Sequence, residues 1–119
     1  MKRIQRKRTK GFRLPPNTVC INRGTMWGNP FPVGELFDRE AAIDMFKMCL
    51  KDPTAIDWGY IELVMSKVSK SRDIRGHFEN MRKRLADLKD VDHIACFCKE
   101  GEPCHGDVII EETKKINKD

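Results

Sequence analysis

Two short runs of strand-forming residues, Thr18-Val19-Cys20-Ile21 and His93-Ile94-Ala95-Cys96-Phe97-Cys98, are separated by three stretches of helical periodicity. That order constrains the fold more than any other feature. Strands joined through helices are most simply parallel neighbours linked by a right-handed crossover. Between the runs, Ala42, Met45, Phe46, Cys49 and Leu50 share one helix face, with Asp38 as the cap and Pro53 as the break. Ile61, Val64, Met65 and Val68 mark a second helix. Ile74, Phe78, Met81, Leu85 and Leu88 mark a third, with Arg82, Lys83 and Arg84 on its solvated side. Beyond the second run, residues 99–106 make a charged turn, and Asp107 opens a last helix whose Ile109, Thr113 and Ile116 share a face. A chain of 119 residues fits one domain, large enough to fold with neither a metal nor a disulfide. The expectation is α/β: a single small domain with a short, mostly parallel sheet flanked by helices.

Charge is concentrated at one end. Residues 1–13 carry seven basic side chains and no acidic one, while sixteen basic residues face eighteen acidic ones in the remainder. The organisation is therefore a basic N-terminal segment, 1–13, attached to an α/β domain spanning 14–119. Lysine and arginine suit an exposed sheet edge, so the segment is a candidate edge strand, added antiparallel. Two readings of its charge stay open. Arg3, Arg6, Lys7, Arg8 and Lys10 could engage nucleic acid through its phosphates, or they form a solvated edge that favours solubility. No apolar run approaches the roughly 20 residues of a membrane span, and the start of the chain lacks the apolar stretch of a secretory signal. The cytoplasm is the expected compartment. There, five cysteines read as thiols or metal ligands rather than a disulfide framework.

Both unusual loops follow strands. Residues 24–34 hold three glycines and two prolines, yet also Met26, Trp27, Phe31 and Val33, so this loop must pack on something. Within it, Arg23 offers a fork for phosphate or carboxylate, Trp27 a stacking face, Asn29 an amide and Thr25 a hydroxyl. A loop pinned into the core by Trp27 and Phe31 is the alternative. The second loop reads Cys98-Lys99-Glu100-Gly101-Glu102-Pro103-Cys104-His105-Gly106-Asp107. Cys104 lies just before a helix start, where free N–H groups favour an anion, so its thiol is expected to ionise early and react fastest of the five. His105 could move a proton, Gly106 permits close backbone approach, and Asp107 could cap the helix. The bland counterpart is a capped turn with a buried thiol. Cys96, Cys98, Cys104 and His105 are the right ligand types for zinc. The single residue between Cys96 and Cys98 argues against it, since zinc knuckles space their cysteines by two to four residues. No cofactor is expected.

Arg23-Gly24-x-x-Trp27-Gly28-Asn29-Pro30-Phe31, followed by Cys96-x-Cys98 and Pro103-Cys104-His105-Gly106-Asp107, resembles a family of small phage and bacterial proteins designated a domain of unknown function, number 4326. The resemblance runs from about Arg8 to Ile110. It implies a phage-related origin, hence a host cytoplasm, and an α/β fold, and it carries over no reaction. In open parallel sheets ligands bind where strands lead into helices, and both loops sit there. The expected function is a site for a nucleotide or phosphorylated small molecule: Arg23, Thr25, Trp27, Asn29 and Gly106 would hold the ligand, and Cys104, His105 and Asp107 would act at its reacting or anionic group. The alternatives are a non-catalytic nucleic-acid accessory protein led by the basic segment, and a module that docks on a host protein.

Overall fold

The computed structural model describes residues 1–34, 37–67, 73–99 and 101–116; Val68, from the second helical pattern, lies outside them. Three strands form one sheet in the order β1-β3-β2, where β1 is Lys2–Gln5, β2 is Thr18–Cys20 and β3 is His93–Cys96. Both outer strands run parallel to β3, with Lys2 and Thr18 each paired to His93. The N-terminal segment is thus an edge strand, but parallel rather than antiparallel. Its connection explains why. Residues 6–17 are long enough to carry the chain back to the start of the sheet, as a parallel connection requires. That return closes at Asn17, which takes a positive φ of 56° and donates from Nδ2 to the Asp90 carbonyl at 2.5 Å.

Helix α1 (Arg39–Lys51) starts at Asp38, whose carboxylate accepts from the Ala41 N–H at 2.7 Å. Asp57 and Asp73 play the same part for α2 (Trp58–Met65) and α3 (Ile74–Arg84). The third apolar pattern is buried along its whole length, from Ile74 to Leu88, although its last turn, Leu85–Leu88, tightens into a 3-10 helix. Phe78 of α3 stands at the centre of the core, with ring centroids of Phe31, Phe46 and Trp58 at 5.9, 5.5 and 6.1 Å. Phe31 comes from the first loop. That loop is therefore a piece of the core that lacks regular structure, and His77 of α3 fixes it further by reaching the Gly28 carbonyl at 2.9 Å.

Helix α4 (His105–Ile116) packs on β1 and β3. Its first turn lies so close to the sheet that a Cβ on Gly106 would meet Ile21 Cδ1 at 2.8 Å and Arg3 Cδ at 3.0 Å. The carboxyl ends of all three strands meet there, because backbone bonds continue the ladders from Arg6 to Cys96 and from Ile21 to Ala95. Among the described residues no helix is long and apolar enough to cross a membrane.

Candidate functional site

Where β2 and β3 end, a cavity of about 310 Å³ opens between the two loops and α1. Of the residues expected to form a site, it gathers Arg23, Asn29, Cys96, Cys98, Cys104 and His105, and from the basic segment Arg8. Trp27 is buried in the core, and Thr25 faces a second hollow of about 290 Å³ beside Asp73 and His77. Gly106 lies under the helix against the sheet. Asp107 does not line the cavity either; its carboxylate pairs with Arg3 Nε at 3.1 Å. Arg39 and Phe97 line the cavity without having been singled out from the sequence.

The first loop owes its shape to two polar side chains. Arg23 donates to the carbonyls of Asn29 at 2.6 Å and Phe31 at 3.0 Å, strapping the loop across its neck. Asn29, itself buried, donates to the Ala42 carbonyl and accepts from the Phe31 N–H, so both ends of its amide hold structure. His105 ties the loops together, since its Nε2 donates to the Ile21 carbonyl at 2.8 Å. Burial, chiefly, lowers its pKa and keeps the imidazole neutral.

Three sulfurs stand side by side. Those of Cys96, Cys98 and Cys104 all lie within 4.8 Å of one another and could hold a metal ion, with Cys96 and Cys104 in contact at 3.2 Å. The chain achieves this because the strand stops at Cys96: Phe97 and Cys98 bend away from the ladder, and the first turn of α4 brings Cys104 alongside. The one-residue spacing that spoke against a metal in a continuing strand loses its force once the strand ends there. Each sulfur has an N–H donor beside it. Arg3 hydrogen-bonds to Cys96, Arg39 Nη1 lies 3.7 Å from Cys98 Sγ, and the Gly106 N–H lies 3.4 Å from Cys104 Sγ.

One expectation is corrected here. Helix α4 begins at His105, so Asp107 sits within its first turn and the Cys104 thiol, not a carboxylate, takes the Gly106 N–H. Cys104 and Cys96 share a hydrogen bond at 3.2 Å, and that bond, with burial, raises the Cys104 pKa. That hydrogen bond, with the Cys98 backbone and Arg3 assisting against burial, lowers the Cys96 pKa. The helix terminus favours a thiolate at Cys104, and with Cys96 in contact the two sulfurs titrate as a pair. Elsewhere, burial pushes Cys49 up to about 12, while Cys20 is only half-buried.

The basic segment is committed more deeply than a free arm would be. Arg3 also donates to the Glu102 carbonyl at 2.8 Å, Arg6 donates to Asn22 Oδ1 at 3.1 Å, and the guanidinium groups of Arg6 and Arg8 lie 5.1 and 4.6 Å from the centre of the Phe97 ring. Lys7 and Lys10 are exposed.

An uncharacterized 12.4 kDa protein from the nrdA-td intergenic region of Enterobacteria phage T4 is 31% identical over 101 residues, covering 85% of this chain and 71% of that protein. No solved structure gives a significant match. The family described as Domain of unknown function (DUF4326) matches residues 4–115, which takes in the end of β1, both cavity loops and the three clustered cysteines, and the chain belongs to that family.

Proposed function

We propose that the cavity binds an anionic small molecule of the nucleotide or phosphorylated-metabolite class. One observation carries this reading: Arg8, Arg23 and Arg39 converge on a cavity of about 310 Å³ whose described lining holds no carboxylate, although Arg39 also pairs with Glu102 at 3.3 Å. Guanidinium groups present forked N–H donors that match phosphate oxygens, and a recess with limited water strengthens each contact. Val33, Ile43 and Phe97 supply an apolar wall for the uncharged part of the ligand. The volume lies at the small end of ligand pockets, which suits one nucleotide better than a dinucleotide.

Thermal unfolding in the presence of nucleoside monophosphates, sugar phosphates and inorganic phosphate tests the reading. A ligand that binds only the folded chain raises the midpoint in proportion to its affinity. Arg39 starts α1 and is half-exposed at 46%, so its loss should leave the fold intact. Arg39→Ala is expected to weaken the bound anion about tenfold, the loss of one charge-assisted hydrogen bond. A midpoint unmoved by every phosphate at millimolar concentration would remove the proposal.

A further inference from the structure

We propose that Cys96, Cys98 and Cys104 form a binding site for one zinc ion, three thiolates filling three of its positions and the fourth facing the arginine-lined cavity. The sulfurs are already gathered within 4.8 Å. On a tetrahedral zinc with bonds of about 2.3 Å, thiolates lie about 3.8 Å apart, so closure needs shifts of only about half an ångström. A donor set made of thiolates alone selects soft or borderline ions and disfavours magnesium or calcium.

The surroundings fit thiolates better than thiols. Arg3, Arg39 and the Gly106 N–H each supply a donor to a different sulfur. Hydrogen bonds of that kind orient metal-bound thiolates and spread their charge. Zinc with three thiolates carries one net negative charge, and Arg3 and Arg39, paired in turn with Asp107 and Glu102, stand beside it. The thiol protons leave to solvent as the metal enters. His105 stands beside the site: its Nε2 donates to the Ile21 carbonyl and its Nδ1 lies 3.7 Å from Cys104 Sγ, but it is not among the groups gathered within 4.8 Å of one another. Three protein ligands and a cavity over the fourth position describe an open metal site, where water or an anionic ligand can enter, rather than a closed structural one. The assignment stands on the sulfurs and their donors alone and does not depend on the anion reading.

The test uses the full chain, kept reduced and purified without chelator. Metal analysis is expected to give about one equivalent of zinc, and replacement by cobalt(II) to give tetrahedral visible bands with thiolate-to-cobalt charge transfer. With zinc bound, a limiting alkylator should spare Cys96, Cys98 and Cys104. Chelation should raise labelling of Cys98, the half-buried one of the three, and leave that of Cys20 unchanged. Cys98→Ser changes a half-buried position outside the strand, and it should lower metal affinity at least tenfold while the circular dichroism stays native. Should that variant unfold, the alkylation pattern of the unaltered chain still decides. The proposal is overturned if the reduced chain takes up no zinc or cobalt, if cobalt binds without charge-transfer bands, or if chelation leaves the labelling of Cys98 as it was.

Discussion

Glu112 is 1% exposed, and its two carboxylate oxygens meet Arg82 Nη1 at 2.9 Å and Lys115 Nζ at 3.1 Å. A carboxylate taken out of water is tolerable only while its partners stay, and removing one partner of a buried pair costs about 3–5 kcal/mol. Arg82 is one-third exposed and Lys115 remains after its loss, so Arg82→Ala should cost less, about 2 kcal/mol in urea unfolding. Replacing both partners, in Arg82→Met with Glu112→Leu, should recover most of that loss. If Arg82→Ala is neutral, water reaches Glu112. The periodicity of the last helix marks Ile109, Thr113 and Ile116 as its inner face, and Glu112 falls beside that stripe, but a charge gives no hint that a partner from another helix awaits it. Arg39 left a fainter sign: a basic residue in the first turn of a helix opposes the helix dipole, so it invites a search for what it faces. Three sulfurs meeting could not be read from spacing, because the point at which β3 ends decides it.

At the scale of elements, apolar rhythm and caps were legible because each depends on residues close in sequence. Asp38 and Pro53 bound α1, and the stripe from Ile74 to Leu88 is buried throughout. The direction of β1 was not legible, since four residues carry no record of which way their neighbour runs. Nor was the role of Gly106, read from the sequence as room for a ligand and set by the structure against the sheet. Two effects oppose each other at that glycine. Alanine suits a helix better than glycine by about 1 kcal/mol, and less in a first turn. Yet the new methyl would meet Ile21 Cδ1 at 2.8 Å, and Arg3 Cδ and Ile94 Cδ1 at 3.0 and 3.3 Å, in packed surroundings where one added carbon typically costs about 1–3 kcal/mol. Overpacking should win. Gly106→Ala is expected to lower stability by about 1–2 kcal/mol in urea unfolding, against the usual sign for a helix. Unchanged or greater stability would show that Ile21 and Arg3 can withdraw, and with them the support of the cavity.

Over the whole molecule, the order of strands and helices foretold a parallel sheet with both loops at one end, and the structure has that form. The charge map suggested a separable basic arm, whereas Lys2–Gln5 are built into the sheet. This alters how any affinity for nucleic acid can be measured. Removing residues 1–13 takes away β1, the Arg3–Asp107 ion pair and the donor to Cys96 together, so the truncated chain should unfold at clearly lower temperature. Loss of binding would then report loss of fold. Lys7, Lys10 and Arg13 are exposed, and their replacement by Gln should change stability by no more than about 0.5 kcal/mol. If the segment engages nucleic acid, that triple variant should bind more weakly on every sequence. The fall of affinity with salt should also become shallower, by about one log–log slope unit for each phosphate left without its cation. Equal affinity and an equal slope for the variant and the natural chain would mean that these charges only solvate the edge. Arg3, Arg6 and Arg8 would then be left with the work their geometry describes, holding β1, Asn22 and Phe97 in place around the cavity.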